Sequence, residues 1–255
     1  MTLIDVGGLP TWYAEYGDGE PLVYLHGGFS SSREFAPVRE AYAERFHVFT
    51  PDRRGHGHTP DVPGPFSYEL YAEDAVAFLD EVVGGPAHLV GYSDGAITAL
   101  LVGLARPDLV RRMVLISGQF HQNGLIPAFF HGPDAVAELQ ESVLGVWYAE
   151  DSPDGGEHFP VVAAKIIESA LTGPTLAAEQ LAGVPARTLV LSGDDDAITL
   201  EHTIEMYRSL PEAELAVVPG TSHVLVMEKP ALVTQLVLDF LTSDAAPTIM
   251  PIRRA

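Results

Sequence analysis

Gly91-Tyr92-Ser93-Asp94-Gly95 sets a serine between two glycines, directly after the apolar run His88 to Gly91 and directly before the apolar segment Ala96 to Ala105. Strand, glycine, serine, glycine, helix is the arrangement of a nucleophile elbow. The turn is so tight that side chains beside the serine would strike neighbouring backbone, while the strained serine keeps its hydroxyl exposed. A serine hydroxyl is a poor nucleophile at neutral pH, so it needs a base to take its proton and an acid to orient that base. The expected base is His223, in Gly220-Thr221-Ser222-His223, on a loop directly after the strand Leu215 to Val218. The acid is expected on the loop after the preceding strand, where Asp194, Asp195 and Asp196 follow Ser192-Gly193. One of them would accept the imidazole N–H and the others would stay solvated, because burying three like charges together is costly. Spacing alone does not say which one.

These side chains are far apart in the chain and must be brought together by a scaffold. Short β-type runs alternate with longer segments of helical period, the pattern of an α/β protein with a mostly parallel sheet covered by helices on both faces. The clearest strands are Leu22 to Leu25, Phe46 to Phe49, His88 to Gly91, Met113 to Ile116, Thr188 to Leu191 and Leu215 to Val218. Helical spacing runs over Arg33 to Glu44, Tyr68 to Val83, Ala96 to Arg106, Leu200 to Ser209 and Ala231 to Leu241, and Thr2 to Val6 with Thr11 to Tyr16 reads as an antiparallel hairpin. From Gln119 to Leu181 there are helical stretches but no strand, broken at Gly132-Pro133-Asp134, Ser152-Pro153-Asp154-Gly155-Gly156 and Gly173-Pro174. Residues 119–181 are therefore expected to form an inserted helical lid, with residues 1–118 and 182–255 as the core. Insertions of this size usually cover the edge where parallel strands end and sites form. Asp244 to Ala255, with Pro247 and Pro251, reads as a loosely held tail.

Composition narrows the partners. The 255 residues are 47% hydrophobic, enough for one sizeable core. The formal charge of −21 argues against a nucleic-acid surface and against anionic membranes. With no cysteine in the chain, disulfides, a thiolate nucleophile and cysteine-ligated metals are excluded. Met1 to Gly8 lacks a basic segment followed by a long apolar one, so no signal peptide is read and a cytoplasmic location is expected. The apolar run Ala96 to Ala105 is about half the length that spans a bilayer. His56 and His58, one glycine apart in Asp52-Arg53-Arg54-Gly55-His56-Gly57-His58-Thr59, read as part of a structural turn rather than a metal site. No metal or cofactor is called for.

Taken together, the chain resembles the α/β-hydrolase superfamily over nearly its whole length, in the order Ser93, Asp, His223. The resemblance implies a catalytic acid three residues after the glycine ending its strand; Gly193 then points to Asp196, with Asp194 as the alternative. Gly220-Thr221-Ser222-His223 followed by Glu228-Lys229-Pro230 is similar to the family's histidine loop, and His26-Gly27-Gly28-Phe29 after Leu22 to Leu25 resembles its oxyanion loop. By that likeness Gly28 and Asp94 would give the backbone N–H donors to the tetrahedral oxyanion, with Phe29 as the one-residue-shifted alternative. His26 is expected to hydrogen-bond this loop rather than to act as a second base.

The resemblance implies a serine hydrolase of small carboxylic esters acting through an acyl-enzyme. The same machinery serves lactone, amide and carbon–carbon bond hydrolysis and cofactor-free perhydrolysis. A haloalkane dehalogenase or epoxide hydrolase would need Asp at position 93, and a ligand sensor that keeps the triad is the reading from another class. Asp94 has two accounts. A carboxylate in the first turn of a helix is stabilised by about 0.3 to 1 kcal/mol. Alternatively it binds a cationic part of the substrate, such as the α-ammonium of an aminoacyl ester, as an acidic residue after the serine does in similar enzymes. Phe29, Phe129 and Trp147 are expected to contact a small-molecule substrate, and Phe120, Leu125, Phe130, Tyr148 and Phe159 to add apolar area. Oligomeric state is not legible in the sequence.

Overall fold

The computed structural model describes residues 2–126, 129, 134–244 and 249. Phe130, His131, the Gly132-Pro133 turn and most of the expected tail lie outside the described residues. Eight strands form one sheet: β1 (Thr2–Val6), β2 (Leu9–Tyr16), β3 (Glu20–Leu25), β4 (Phe46–Pro51), β5 (Ala87–Tyr92), β6 (Val110–Ile116), β7 (Arg187–Asp195) and β8 (Ala213–Ser222). Their order is β1-β2-β4-β3-β5-β6-β7-β8, with β1, β2 and β4 paired antiparallel and every later pair parallel. The chain begins at β1 on one edge, enters the parallel part at β3 in the interior, builds outward through β4, and crosses back to β5. Loops after β3 and β5 therefore leave the sheet side by side, at the point where strand order reverses and sites form in open α/β sheets.

Alternation along the central strands gives each face its own core. Val23 and Leu25 of β3, Leu89 of β5 and Met113 and Leu115 of β6 bury on one side with Phe78, Leu100 and Val102. Leu22 and Tyr24, Val90 and Tyr92, Val114 and Ile116 bury on the other with Phe35, Tyr42 and Phe240. Successive strand side chains point to opposite faces, so strands covered on both sides read as continuous apolar runs.

Helices cover both faces: α1 (Arg39–Ala43), α2 (Tyr68–Phe78), α3 (Asp94–Ala105), α4 (Ala135–Glu141), α5 (Val143–Asp151), α6 (Phe159–Thr172), α7 (Leu200–Ser209), α8 (Leu225–Glu228) and α9 (Pro230–Thr242). The single helix expected over Arg33 to Glu44 is instead a 3₁₀ turn at Ser32–Phe35 followed by the short α1. Pro37 lies between them, and it lacks the N–H and the room for the preceding turn that a continuous helix needs. The π-helical turn Leu79–Val83 extends α2 to Gly84, whose φ of 77° ends it.

α4, α5 and α6 lie between β6 and β7, within the segment read as an insertion. Phe159, Val162, Ala163 and Ile166 of α6 and Tyr148 of α5 pack with Phe29, Phe66, Tyr68, Tyr71 and Ile97 of the core in a third apolar cluster. Ion pairs join the same elements: Arg33 reaches Glu150 and Asp151 at 2.5 Å each, and Asp61 receives Lys165 at 2.7 Å and His158 at 2.9 Å. Two expected pocket residues thus turn out to be packing residues, since Tyr148 and Phe159 are buried in that cluster. Phe120 is likewise a packing residue, buried in the first cluster and stacked on His202 with ring centroids 4.1 Å apart. Among the described residues, no helix is long and apolar enough to cross a membrane.

Candidate active site

β5 ends in the elbow. Ser93 has φ 52° and ψ −118°, outside the usual regions for a side-chain-bearing residue, and its N–H is anchored to Ile116 O at 2.8 Å. The glycines on either side have steric causes: a Cβ on Gly91 would lie 2.2 Å from Gly95 O, and one on Gly95 would lie 1.9 Å from Leu25 O. The close approach of α3 to β3 and β5 is what the two glycines permit.

The three distant side chains meet. Ser93 Oγ lies 2.9 Å from His223 Nε2, and His223 Nδ1 lies 2.7 Å from Asp196 Oδ1. A carboxylate only accepts, so Nδ1 carries the ring proton and Nε2 presents its lone pair to the serine hydroxyl. Asp196 is held from every side. Its Oδ2 accepts from Ser117 Oγ at 2.5 Å, Ser192 Oγ at 3.1 Å and Gly193 N at 3.2 Å, and its Oδ1 also accepts from Ile198 N at 3.1 Å. Burial alone would raise the Asp196 pKa. The hydrogen bond and charge of His223, with the donors Ser117 and Ile198 N–H, outweigh that and bring it down to about 2. Tyr92 Oη donates to His223 O at 3.1 Å, fixing the loop that carries the base.

The structure separates the three aspartates. A register shift between Gly193 and Asp195 makes room for Asp194, whose Oδ1 accepts from Thr221 N at 3.0 Å and so ties β7 to β8. Backbone N–H groups of Gly220 and Thr221 hold its carboxyl below the usual range. The imidazole is met by Asp196, and Asp194 staples the bulge.

The loop after β3 lies beside the elbow. Gly27 O accepts from His26 Nδ1 at 2.7 Å and from Arg53 Nη2 at 2.9 Å. The His26 tautomer follows from its other nitrogen, which accepts from Arg53 N at 3.1 Å. In a trans peptide the C=O and the next N–H point opposite ways. Drawing Gly27 O inward turns the Gly28 N–H the opposite way, and Gly28, Ser93 and Asp94 line one cavity. The first N–H groups of a helix have no intrahelical acceptor, and Asp94 stands at the start of α3 beside the same cavity. Phe29, with φ 60°, lines the same cavity.

Asp94 is largely enclosed, yet it lines the cavity beside Ser93. The residue is 7% exposed; Oδ1 accepts from Tyr68 Oη at 2.9 Å, and Oδ2 lies 3.9 Å from Arg53 Nη1. A Cβ on Gly28 would stand 2.6 Å from Oδ2, so the carboxylate is tucked beneath the oxyanion loop. Its charge is matched within the protein by a guanidinium that is itself 5% exposed and stacks 4.7 Å over Tyr71.

A cavity of about 440 Å³ opens on Ser93, lined chiefly by apolar groups including Phe29, Phe129, Leu139, Trp147, Val224 and Met227. Phe129 meets the His223 ring edge-on with centroids 5.2 Å apart. The same cavity touches Glu34, whose Oε1 accepts from Gly27 N at 3.0 Å and whose carboxyl is pushed by desolvation up to about 7. His56 and His58 serve the turn: His56 Nδ1 donates to Arg54 O at 2.9 Å, and His58 Nδ1 pairs with Asp52 Oδ2 at 3.0 Å while its ring stacks on Trp12.

Sequence reasoning missed Arg53 and Glu34. The only signal for Arg53 was its place at the end of β4, level with the oxyanion loop.

Comparison with known proteins agrees with this architecture. The sequence profile of the "Alpha/beta hydrolase family" matches residues 22–236. The chain is 25% identical to (E)-2-((N-methylformamido)methylene)succinate hydrolase of Acinetobacter baylyi, covering 88% of this chain and 90% of that one. It is 27% identical to the mouse sn-1-specific diacylglycerol lipase ABHD11, covering 86% and 80% respectively. Among solved structures, MGS-M2, an alpha/beta hydrolase from a Medee basin deep-sea metagenome library, superposes with a TM-score of 0.81 at 18% identity, covering 98% of this chain and 100% of its own.

Proposed function

The chain belongs to the alpha/beta hydrolase family, and from that premise we propose that it hydrolyses small carboxylic esters through an acyl-enzyme on Ser93. The observation that carries this reading is the unbroken relay from Ser93 Oγ through His223 to Asp196, at 2.9 and 2.7 Å. His223 Nε2 takes the hydroxyl proton as Ser93 Oγ bonds to the ester carbonyl carbon. The carbonyl oxygen becomes an oxyanion facing the Gly28 and Asp94 N–H groups, and Asp196 stabilises the imidazolium that forms. His223 then returns its proton to the departing alcohol oxygen. Water attacks the acyl-enzyme by the same route in reverse, releasing the acid and restoring the serine.

The cavity volume of about 440 Å³ and its largely apolar lining suit one bulky apolar half of the ester. Residues 119–181 serve as the lid in this reading, with Phe129 and Trp147 forming the cavity wall. Neutral esters take precedence over aminoacyl esters because Asp94 already faces Arg53 and Tyr68.

Turnover of matched neutral and aminoacyl p-nitrophenyl esters by wild type and Asp94→Asn tests both points. We expect steady turnover of the neutral esters and a fall in kcat for both classes in the variant, roughly 10-fold, since Asp94 holds Arg53 beneath the oxyanion loop. A rise in KM confined to aminoacyl esters would instead assign Asp94 to the substrate cation. Absence of ester turnover by the folded wild type would refute the ester reading.

A further inference from the structure

A guanidinium is enclosed beneath the loop after β3. Arg53 Nη2 donates to Gly27 O at 2.9 Å, and Nη1 lies 3.9 Å from Asp94 Oδ2. Among the described residues, neither Nη1 nor Asp94 Oδ2 has a hydrogen-bond partner, and Arg53 Nε has none either. Both ends of the side chain are fixed: the Arg53 backbone N–H donates to His26 Nε2 at 3.1 Å, and the guanidinium lies 4.7 Å from the centre of the Tyr71 ring. Taking a cation out of water is costly, and an apolar side chain of similar volume commonly serves packing as well or better. Stability alone therefore does not account for Arg53.

The carbonyl it holds belongs to the peptide that carries the Gly28 N–H, and the two groups share one plane. Gly27 O also accepts from His26 Nδ1 at 2.7 Å, while Gly27 N donates to Glu34 Oε1 at 3.0 Å. A charged donor on the oxygen fixes that plane and draws electron density away from the nitrogen, which makes the Gly28 N–H a stronger donor. Asp94 offsets the guanidinium charge at close range. The influence of Arg53 thus runs through the peptide rather than as a bare field.

Resting on the ester-hydrolase reading above, we propose that Arg53 is a positioning residue: by donating to Gly27 O it orients and polarises the Gly27–Gly28 peptide, whose N–H meets the oxyanion formed at Ser93. Arg53 does not line the cavity and touches no substrate. Asp94 holds the guanidinium in place, so the two residues act as one unit.

The experiment compares wild type, Arg53→Met and the double variant Arg53→Met/Asp94→Asn. It measures kcat and KM for p-nitrophenyl butyrate and the inhibition constant of a phenyl trifluoromethyl ketone. Ser93 Oγ adds to the ketone carbon, the serine proton passes to His223, and the ketone oxygen becomes an oxyanion, so the adduct imitates the tetrahedral intermediate. Arg53→Met is expected to lower kcat and to weaken ketone inhibition by roughly 10-fold each, with KM little changed, as for an interaction made only in the transition state. A merely structural role would reduce the amount of folded enzyme and leave the inhibition constant where it was. Since the single variant leaves a carboxylate buried without its partner, the double variant, which removes both charges, carries the same test if the single one does not fold. It is expected to match Arg53→Met rather than to lose further activity, because both residues act through one hydrogen bond. Unchanged ketone inhibition in a folded variant, or a rise in KM alone, overturns the role of Arg53; a further multiplicative loss in the double variant overturns the unit. Absence of ester turnover by wild type would instead signal failure of the hydrolase reading itself.

Discussion

Ser93→Ala is expected to lower kcat for ester turnover by at least roughly 10⁴-fold, with circular dichroism and melting temperature close to wild type. The residual rate would come from the Gly28 and Asp94 amides and from substrate binding, which the substitution leaves in place. Removing the hydroxyl deletes the atom that bonds to carbon, and no neighbour can replace it: His223 stands 2.9 Å from Ser93 Oγ but is oriented by Asp196 as a proton carrier. The same substitution separates an enzyme from a ligand sensor. A sensor would bind ligands equally well with alanine at position 93 and would show no steady turnover in wild type.

Asp196→Asn is expected to reduce kcat by about 10⁴-fold while preserving most of the substrate affinity. Asparagine can present an N–H to His223 Nδ1, which favours the tautomer with its proton on Nε2; that proton would face the serine hydroxyl where a lone pair is needed. The change also disturbs the donors now converging on Oδ2, namely Ser117 Oγ, Ser192 Oγ and Gly193 N. Stability should report the same charge. The folded-state pKa of Asp196, about 2, lies below the ordinary value of about 3.9, so its contribution is present above pH 4 and is lost as pH falls from about 4 toward 2. Urea unfolding at pH 7, 4 and 3 should show wild type losing this part of its stability on acidification, whereas Asp196→Asn lacks that part at every pH. Equal acid slopes in the two proteins would show that the carboxylate is not stabilised as the hydrogen bonds imply.

The elbow was legible because its constraints are local: Gly91 and Gly95 are dictated by backbone atoms that a Cβ would strike, and the apolar runs on either side identify strand and helix. The strands were legible for a related reason, since burial on both faces leaves a run such as Met113 to Ile116 almost no polar option. The choice among the three aspartates was of another kind. It depends on a bulge between β7 and β8 that sends Asp194 to Thr221 N and turns Asp196 under the imidazole. Composition contains no trace of that pairing, and family likeness alone pointed to the residue.

Asp94 shows the opposite limit. Its position after the nucleophile says nothing of Arg53, 41 positions earlier in the chain, which comes within 3.9 Å of its carboxylate beside Gly28. The sequence reads Arg53 only as part of a glycine-rich structural turn. Its burial at the end of β4 is a tertiary event, set by the crossing from β4 to β5 and by the Tyr71 ring on α2.

The proposed reaction depends on an imidazole, oriented by Asp196, that activates the Ser93 hydroxyl. Treatment with a fluorophosphonate, followed by intact-mass measurement and peptide mapping of wild type and His223→Ala, tests it most directly. One adduct per chain is expected, on the peptide containing Ser93, with labelling slowed by at least roughly 10²-fold in His223→Ala. An adduct on another residue, no adduct on folded wild type, or equal labelling rates with and without the imidazole would contradict it.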